Sequence, residues 1–545
     1  MQAWLSSSLV RHYPRSRPRT RQSLTLDAAR GETISFQVAF RTADEDLRLT
    51  AAAAAPGDLD VELRRVGYVP MHHHTTETPA EELDGLGHVP GLVPDPLLPE
   101  KTVHAGPFET NAFWATVRIP ADVKPGRRLV QITLTPECLD VSGSPRGQQP
   151  PLMKLVAILR VHRSVLPRRR DFPVTHWFQT SALCDWYHTH VWEESFWSLL
   201  GSYLVNIRAH GQDTIHVPSF SPPVAPPLER MPIAQLLAIR RDGDQYLFGW
   251  DLVRRWVHAA KALGFSYFEW PDFFSYGDVR SSMRTYEGHG EDAKLLWPPE
   301  TGALSATYRN FLTQFVREFA GFLKAEGIQD CSFFHVSDEP EGEEAFQNYR
   351  AARLLLRELA PWIKVTDGVD NLRFCREGLT DTPVPGPERT LEFARAGFRP
   401  WATFCMGPRG RYLNRFLDTP LIKLRMAGWL FYKTGVGGFL HWAYNHWYDK
   451  TQLIDPYVVT DAGAWPMIPS GDAFIVYPGP SGPVDSLRWE LLAESLQDYA
   501  LLQAAQVALD APLLSEIRDY ADFPRRESWL TQRRRQVLAR LDREH

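Results

Sequence analysis

Between Tyr308 and Pro361 the chain changes its periodicity twice, and that change limits the folds open to it. Tyr308, Phe311, Phe315, Phe319 and Phe322 recur every three or four residues, the spacing of one helix face, and Gly327 supplies a stop. Cys331 to Val336 is then an apolar, aromatic-rich run that reads as a buried strand. It ends in Ser337, Asp338 and Glu339, and Pro340 bars further pairing. Glu341, Glu343 and Glu344 favour a second helix N-terminus, which Phe346, Tyr349 and Leu354 carry toward Pro361. Helix, strand, loop, helix is the repeat of a parallel β/α architecture.

The same rhythm runs from Asp171 onward. Strands are expected at 174–179, 213–217, 265–270, 331–336, 362–367, 401–405 and 438–442. Helices fall at 196–205, 252–263 and 421–433. Seven strands are clear, and an eighth would lie near Phe374 to Pro385. A (β/α)8 barrel fits best, with a doubly wound sheet as the alternative. Residues 1 to about 170 differ: Thr33 to Phe40, Phe113 to Ile119, Leu129 to Leu134 and Leu155 to Val161 alternate apolar and polar, and turns such as Lys124-Pro-Gly126 punctuate them. We therefore expect a multidomain all-β and α/β protein: an N-terminal β-sandwich over 1–170, then a barrel over 171–545 ending in charged helices. Pro167 to Arg170 reads as the linker, and Arg533, Arg534 and Arg535 as a solvated helix face.

Composition excludes several functions. The 545 residues carry a net charge of −5, which offers nothing to nucleic acid or an anionic membrane surface. No run approaches the ~18 apolar residues of a membrane span, and the first residues lack a signal-peptide core, so the expected location is cytoplasmic. Five cysteines without a close pair read as buried thiols, not as disulfides or a zinc site. His72, His73 and His74 are consecutive and cannot all point one way on a strand, so no metal is expected there. No cofactor motif is present: the glycines at 435–438 precede a strand and no phosphate-loop Lys follows.

The chemistry centres on Asp338 and Glu339. Two carboxylates at the mouth of a buried strand are costly, because desolvation opposes their charge. The ordinary retaining glycosidase places two carboxylates about 5 Å apart across the scissile bond. Neighbouring residues enter one pocket only if the backbone turns at the strand end, and they then flank the same side of a sugar. That arrangement suits substrate assistance, in which a 2-acetamido oxygen attacks the anomeric carbon, Glu339 protonates the leaving oxygen and Asp338 holds the amide N–H. The alternative is that Asp338 caps the next helix and Glu339 pairs with an arginine.

His335-Val-Ser-Asp-Glu-Pro340 resembles the active-site strand of the glycoside hydrolase family 123 catalytic domain. Gly407-Pro-Arg-Gly-Arg-Tyr-Leu-Asn-Arg-Phe-Leu-Asp-Thr-Pro420, Arg425 to Trp429, Gly438 to Trp447, Tyr477-Pro-Gly479 and Ser486 to Glu490 with Asp498 and Tyr499 are similar to later segments of that family, and Arg30 to Gln37 to its N-terminal part. The resemblance implies an exo-acting, retaining β-N-acetylgalactosaminidase, with Glu339 as general acid/base and Asp338 as the amide-orienting carboxylate. The implied partner is an oligosaccharide or glycoconjugate; the oligomeric state stays open.

Further candidates follow strand ends. Trp442, Asn445 and Trp447 could wall a sugar and bond its hydroxyls, or pack in the core. Trp270 and Asp272 are candidates for a ring hydroxyl, His335 for a buttress of Asp338, Asp367 for a supporting group and Tyr477 for a late-loop contact. The long stretches 271–299 and 443–485 both follow strands and so fall on the presumed active face. Two other readings stand beside the first: a glycosidase of the same fold for another hexosaminide or a plain glycoside, and a carbohydrate-binding protein with an idle barrel.

Overall fold

The structure, a computed structural model, describes residues 1–139, 144, 146–147, 150–220, 231–288 and 293–544. Residues 289–292 of the expected long loop and the terminal His545 lie outside them.

The N-terminal region is sheet-rich. One five-stranded sheet orders Gln2–Ser7, Thr33–Arg41, Thr110–Arg118, Asp60–Met71 and Gly91–Leu98. The other orders Ser23–Arg30, Met153–Val165, Gly126–Cys138, Leu47–Ala54 and Thr102–Ala105. Phe36, Val38, Leu63 and Phe113 of the first share a core with Leu49, Val130, Ile132 and Leu155 of the second. The strand Met153–Val165 alternates buried and open residues, as a half-covered strand should. Thr33–Arg41 departs from that expectation and is buried on both faces. Its polar face meets the helix Leu487–Ala504: Ser35 donates to Glu494, and the Thr33 N–H donates to Gln497 at 2.8 Å.

From Val174 the chain is mixed α/β with short parallel pairings. Val174–His176 pairs with Phe439–His441, and Phe439 bridges Ala402. Thr214–His216 pairs with Tyr267–Glu269, which pairs with Ser332–Phe333; Phe334 then bridges Val365. Thr366–Asp367 pairs with Thr382–Pro383. Single backbone bonds join the remaining neighbours, Asp213 N–H to Val174 O at 3.4 Å and Trp401 N–H to Pro383 O at 2.9 Å. As hydrogen-bonded sheets these are open. A strand does lie in the stretch Phe374 to Pro385 where the sequence signal was weak: Thr382–Pro383, too short and too Pro-interrupted to show periodicity.

The helices follow their sequence signals. Ala306–Glu326 starts where the Ser305 side chain accepts from the Tyr308 N–H and ends at Gly327, left-handed with φ 65°. Its five aromatics are buried, and each contributes about 1.5–3 kcal/mol on leaving water. The helix expected at 421–433 is broken at Met426 into Leu421–Arg425 and Ala427–Thr434.

Two expectations are corrected. Arg534 is buried, bonding Glu32 at 2.6 Å and pairing with Asp498, so it does not face water; Arg535 is exposed but reaches Asp27, and Arg533 reaches Glu516. The cysteines form no disulfide among the described residues, but only Cys184 and Cys375 are buried.

The helices Ala427–Thr434 and Leu487–Ala504 touch backbone to backbone at Gly428, where a Cβ would lie 1.8 Å from the Ser495 carbonyl oxygen. Gly428→Ala should lower stability by about 3 kcal/mol through overpacking. Gly321→Ala, in open space on Ala306–Glu326, should raise it by roughly 0.5–1 kcal/mol through helix propensity. Urea unfolding of both variants checks the pair.

Candidate active site

Asp338 and Glu339 open into a cavity of about 1570 Å³. Each parallel segment sends residues from its C-terminal end into the wall: Trp177, His216, Asp272, Glu339, Asp370, Val384, Cys405 and Trp442. The turn that aims both acids is a backbone feature. Glu339 has φ 48°, a left-handed conformation that costs a non-glycine residue energy and is tolerated where structure over-determines it. Its N–H donates to Gly368 O at 3.1 Å, and Gly277 N–H donates to Asp338 O at 3.1 Å. Gly368 is required there, since a Cβ would sit 2.5 Å from Asp338 Oδ1. The following helix, Gly342–Leu359, has Glu341 as its N-cap without a side-chain bond, so Asp338 is not engaged as a cap.

The electrostatics hold a proton at this cluster. Burial pushes the Asp338 carboxyl well above its usual range, and the charges of Glu339 and Asp272 push it further. Asp272 is itself driven up to about 7, mainly by burial, and its buried Oδ2 has no hydrogen-bond partner among the described residues. Glu339 is exposed to the cavity and accepts from Tyr276 Oη at 2.9 Å. The Tyr276 phenol is shifted upward by burial and by Glu339, so it stays a donor.

Behind the acids lies an ionic clamp. His335 Nε2 is 2.9 Å from Glu269 Oε1, and its Nδ1 is 3.2 Å from Asp367 Oδ1. Burial opposes charge on this imidazole, but the two carboxylates outweigh it and raise its pKa well above 6.5. Glu269 also accepts from Thr175 Oγ1 at 2.6 Å and Trp177 Nε1 at 2.8 Å, while Tyr349 donates to Asp367. His335 therefore supports the strand ends and does not bond Asp338 as expected.

The other expected residues divide. Trp442 lines the cavity, its Nε1 donating to Asp472 Oδ2 at 2.8 Å. Asp272 lines it too. Trp270 borders it, but its indole is buried and donates to Ser332 at 3.0 Å. Asn445, Trp447 and Tyr477 do not reach it. Asn445 is buried and holds both backbone groups of Gln179, Trp447 donates to Val476 O at 3.2 Å, and Tyr477 donates to Asp95 at 2.7 Å. The strand turns after Trp442, so residues only three and five positions on point into the core. Tyr276, Trp177 and Trp465 were missed; the last lies in a long loop without periodicity, and only the expectation that such loops face the site pointed toward it.

His210, Asp485 and Glu490 bring ligand-type atoms within 4.8 Å of one another. Arg64 pairs with both carboxylates, so a cation already fills that role. No helix among the described residues is long and apolar enough to cross a membrane.

Asp338 and Glu339 thus stand together at the wall of one large cavity, and a family model matches the part of the chain that carries them. The catalytic-domain model of glycoside hydrolase family 123 matches residues 177–505, and the chain belongs to that family. The structure is similar to a family 123 glycoside hydrolase from Clostridium perfringens described for glycolipid glycan hydrolysis, with 13% identity, a TM-score of 0.75, and coverage of 100% of this chain and 97% of that one. An FMN-binding beta-glucuronidase from Facaelibacterium prausnitzii aligns at 9% identity and a TM-score of 0.30, covering 90% of this chain and 62% of that one. No curated protein matches the chain.

Removing one member of a buried ion pair costs about 3–5 kcal/mol, so His335→Gln should destabilise the fold by about that much. Folding raises the His335 pKa above its ordinary 6.5, so its stabilisation is complete below pH 6.5 and is lost as pH climbs through the folded value. Denaturation at pH 6 and pH 9 should show the variant losing that slope.

Proposed function

We propose that this glycoside hydrolase is exo-acting and retaining and releases terminal β-linked N-acetylgalactosamine with help from the substrate's 2-acetamido group. The observation that carries the reading is the side-by-side placement of Asp338 and Glu339 on one wall, fixed by the left-handed turn at Glu339. A pair arranged this way leaves the opposite side of the sugar without its own carboxylate nucleophile, and the acetamido oxygen supplies one.

The steps follow from the charge balance. The amide oxygen attacks the anomeric carbon while the bond to the leaving oxygen breaks and Glu339 gives that oxygen its proton. Asp338 accepts the amide N–H as the oxazoline ring forms. A water then adds to the anomeric carbon, Glu339 takes its proton, and the ring reopens with retained configuration. In the free enzyme burial and the charges of Glu339 and Asp272 favour the protonated form of Asp338. Docking an amide N–H on Asp338 favours the ionised form there, and Glu339 is the acid that faces the leaving oxygen. Tyr276 orients Glu339, and Trp442 offers an aromatic face.

The supporting frame is a (β/α)8 barrel over 171–545 braced by a β-sandwich over 1–170. In its favour, eight parallel segments contact one another in chain order and all deliver their C-terminal ends to one cavity.

Glu339→Gln should lose at least ~100-fold in kcat/KM on a glycan, the usual worth of a general acid, and recover on an aryl glycoside with a good leaving group. Asp338→Asn should stay impaired on both. A plain β-galactoside hydrolysed as fast as the acetamido sugar would overturn substrate assistance. Activity should fall on the alkaline side as the cluster loses its proton. Asp272→Asn removes a negative neighbour, lowers the Asp338 pKa and should move that limb to lower pH in a pH–rate profile.

A further inference from the structure

The cavity of about 1570 Å³ exceeds the roughly 300–1,000 Å³ of a single-ligand pocket, so a terminal sugar leaves space beyond it. Part of that space is walled by Trp465, whose indole is 40% exposed although most tryptophans here are buried. An open indole in a sugar-sized cavity presents a flat apolar face of the kind that a pyranose C–H surface covers.

Trp465 packs against the segment that follows the strand Asp60–Met71. The His73 ring lies against Trp465 with centroids 4.3 Å apart and planes 31° apart. His74 Nδ1 sits 3.2 Å from Asp418 Oδ2, and the same carboxylate accepts the Thr75 N–H at 2.7 Å, fixing the histidine segment. Arg409 donates to the carbonyls of Pro466 at 2.6 Å and Met467 at 3.0 Å and also bonds Thr76. Thr460 donates to Pro70 O at 3.1 Å. His73 and His74 thus brace a wall of the cavity from the N-terminal sheet region.

We infer that Trp465, backed by His73, is the platform for the sugar unit next to the one released, so the preferred substrate carries a saccharide aglycone. This rests on the glycosidase reading above. The platform determines specificity and takes no part in bond cleavage: it adds binding energy only for substrates with a second ring.

The test compares the β-azide of N-acetylgalactosamine, which lacks an aglycone ring, with a disaccharide bearing the same terminal sugar. Trp465→Ala should lower kcat/KM on the disaccharide about tenfold, the worth of one stacking contact, and leave the azide within twofold. Trp465→Phe should restore most of the loss, and His73→Ala should give a smaller loss of the same selectivity, with melting temperatures near wild type. An unchanged disaccharide rate in Trp465→Ala, or equal losses on both substrates, overturns the platform while leaving the glycosidase reading intact. If wild type hydrolyses neither substrate, the proposed function fails first.

Discussion

The buried imidazolium of His335 is the interaction on which the site depends. Its two nitrogens face carboxylates from the strands on either side, Glu269 and Asp367, and all three side chains are almost completely out of water. One positive charge between two negative ones leaves a net negative charge, which Thr175, Trp177 and Tyr349 moderate by donating hydrogen bonds. Such a group tolerates little displacement, because any lost contact strands a charge in a medium of low dielectric. Three neighbouring strand ends are thereby fixed in register. The backbone leaving the middle one then turns at Glu339, and the two acids emerge together.

A second set of charges ties the sheet region to the rest. Leu487–Ala504 is buried nearly all round, and its Arg488, Glu490, Glu494 and Asp498 all find partners from distant parts of the chain. Arg488 pairs with Asp95 and Arg64 with Glu490, so two strands of one sheet are bonded directly to this helix. The apolar core is continuous as well: Tyr13, Val69, Met71 and Val93 pack with residues of the α/β part. The sheet region is therefore a structural wall of the enzyme, and its histidine segment reaches the loop that borders the cavity.

Much of this was legible along the chain. The aromatic stripe from Tyr308 to Phe322, the Ser305 and Gly327 signals and the run ending at Asp338 each act locally, so periodicity exposes them. Short segments were not legible. Thr382–Pro383 offers two residues to a pattern that needs four or more, and Ala402 pairs through a single bridge. At the site, Asp338, Glu339, Asp272 and Trp442 were readable because each stands just past a strand. Asn445, Trp447 and Tyr477 were misplaced, since a turn after Trp442 reverses which side chains face inward.

By itself the sequence determined the order of strands and helices, the paired acids and the family, because hydrophobic spacing and short motifs are written in adjacent residues. Only the tertiary structure decided which aromatics meet sugar-sized space, that His335 clamps strands instead of touching Asp338, and that His73 packs against Trp465. Those facts depend on partners up to several hundred positions apart. Contact between such residues is set by how elements pack, and no local pattern records it.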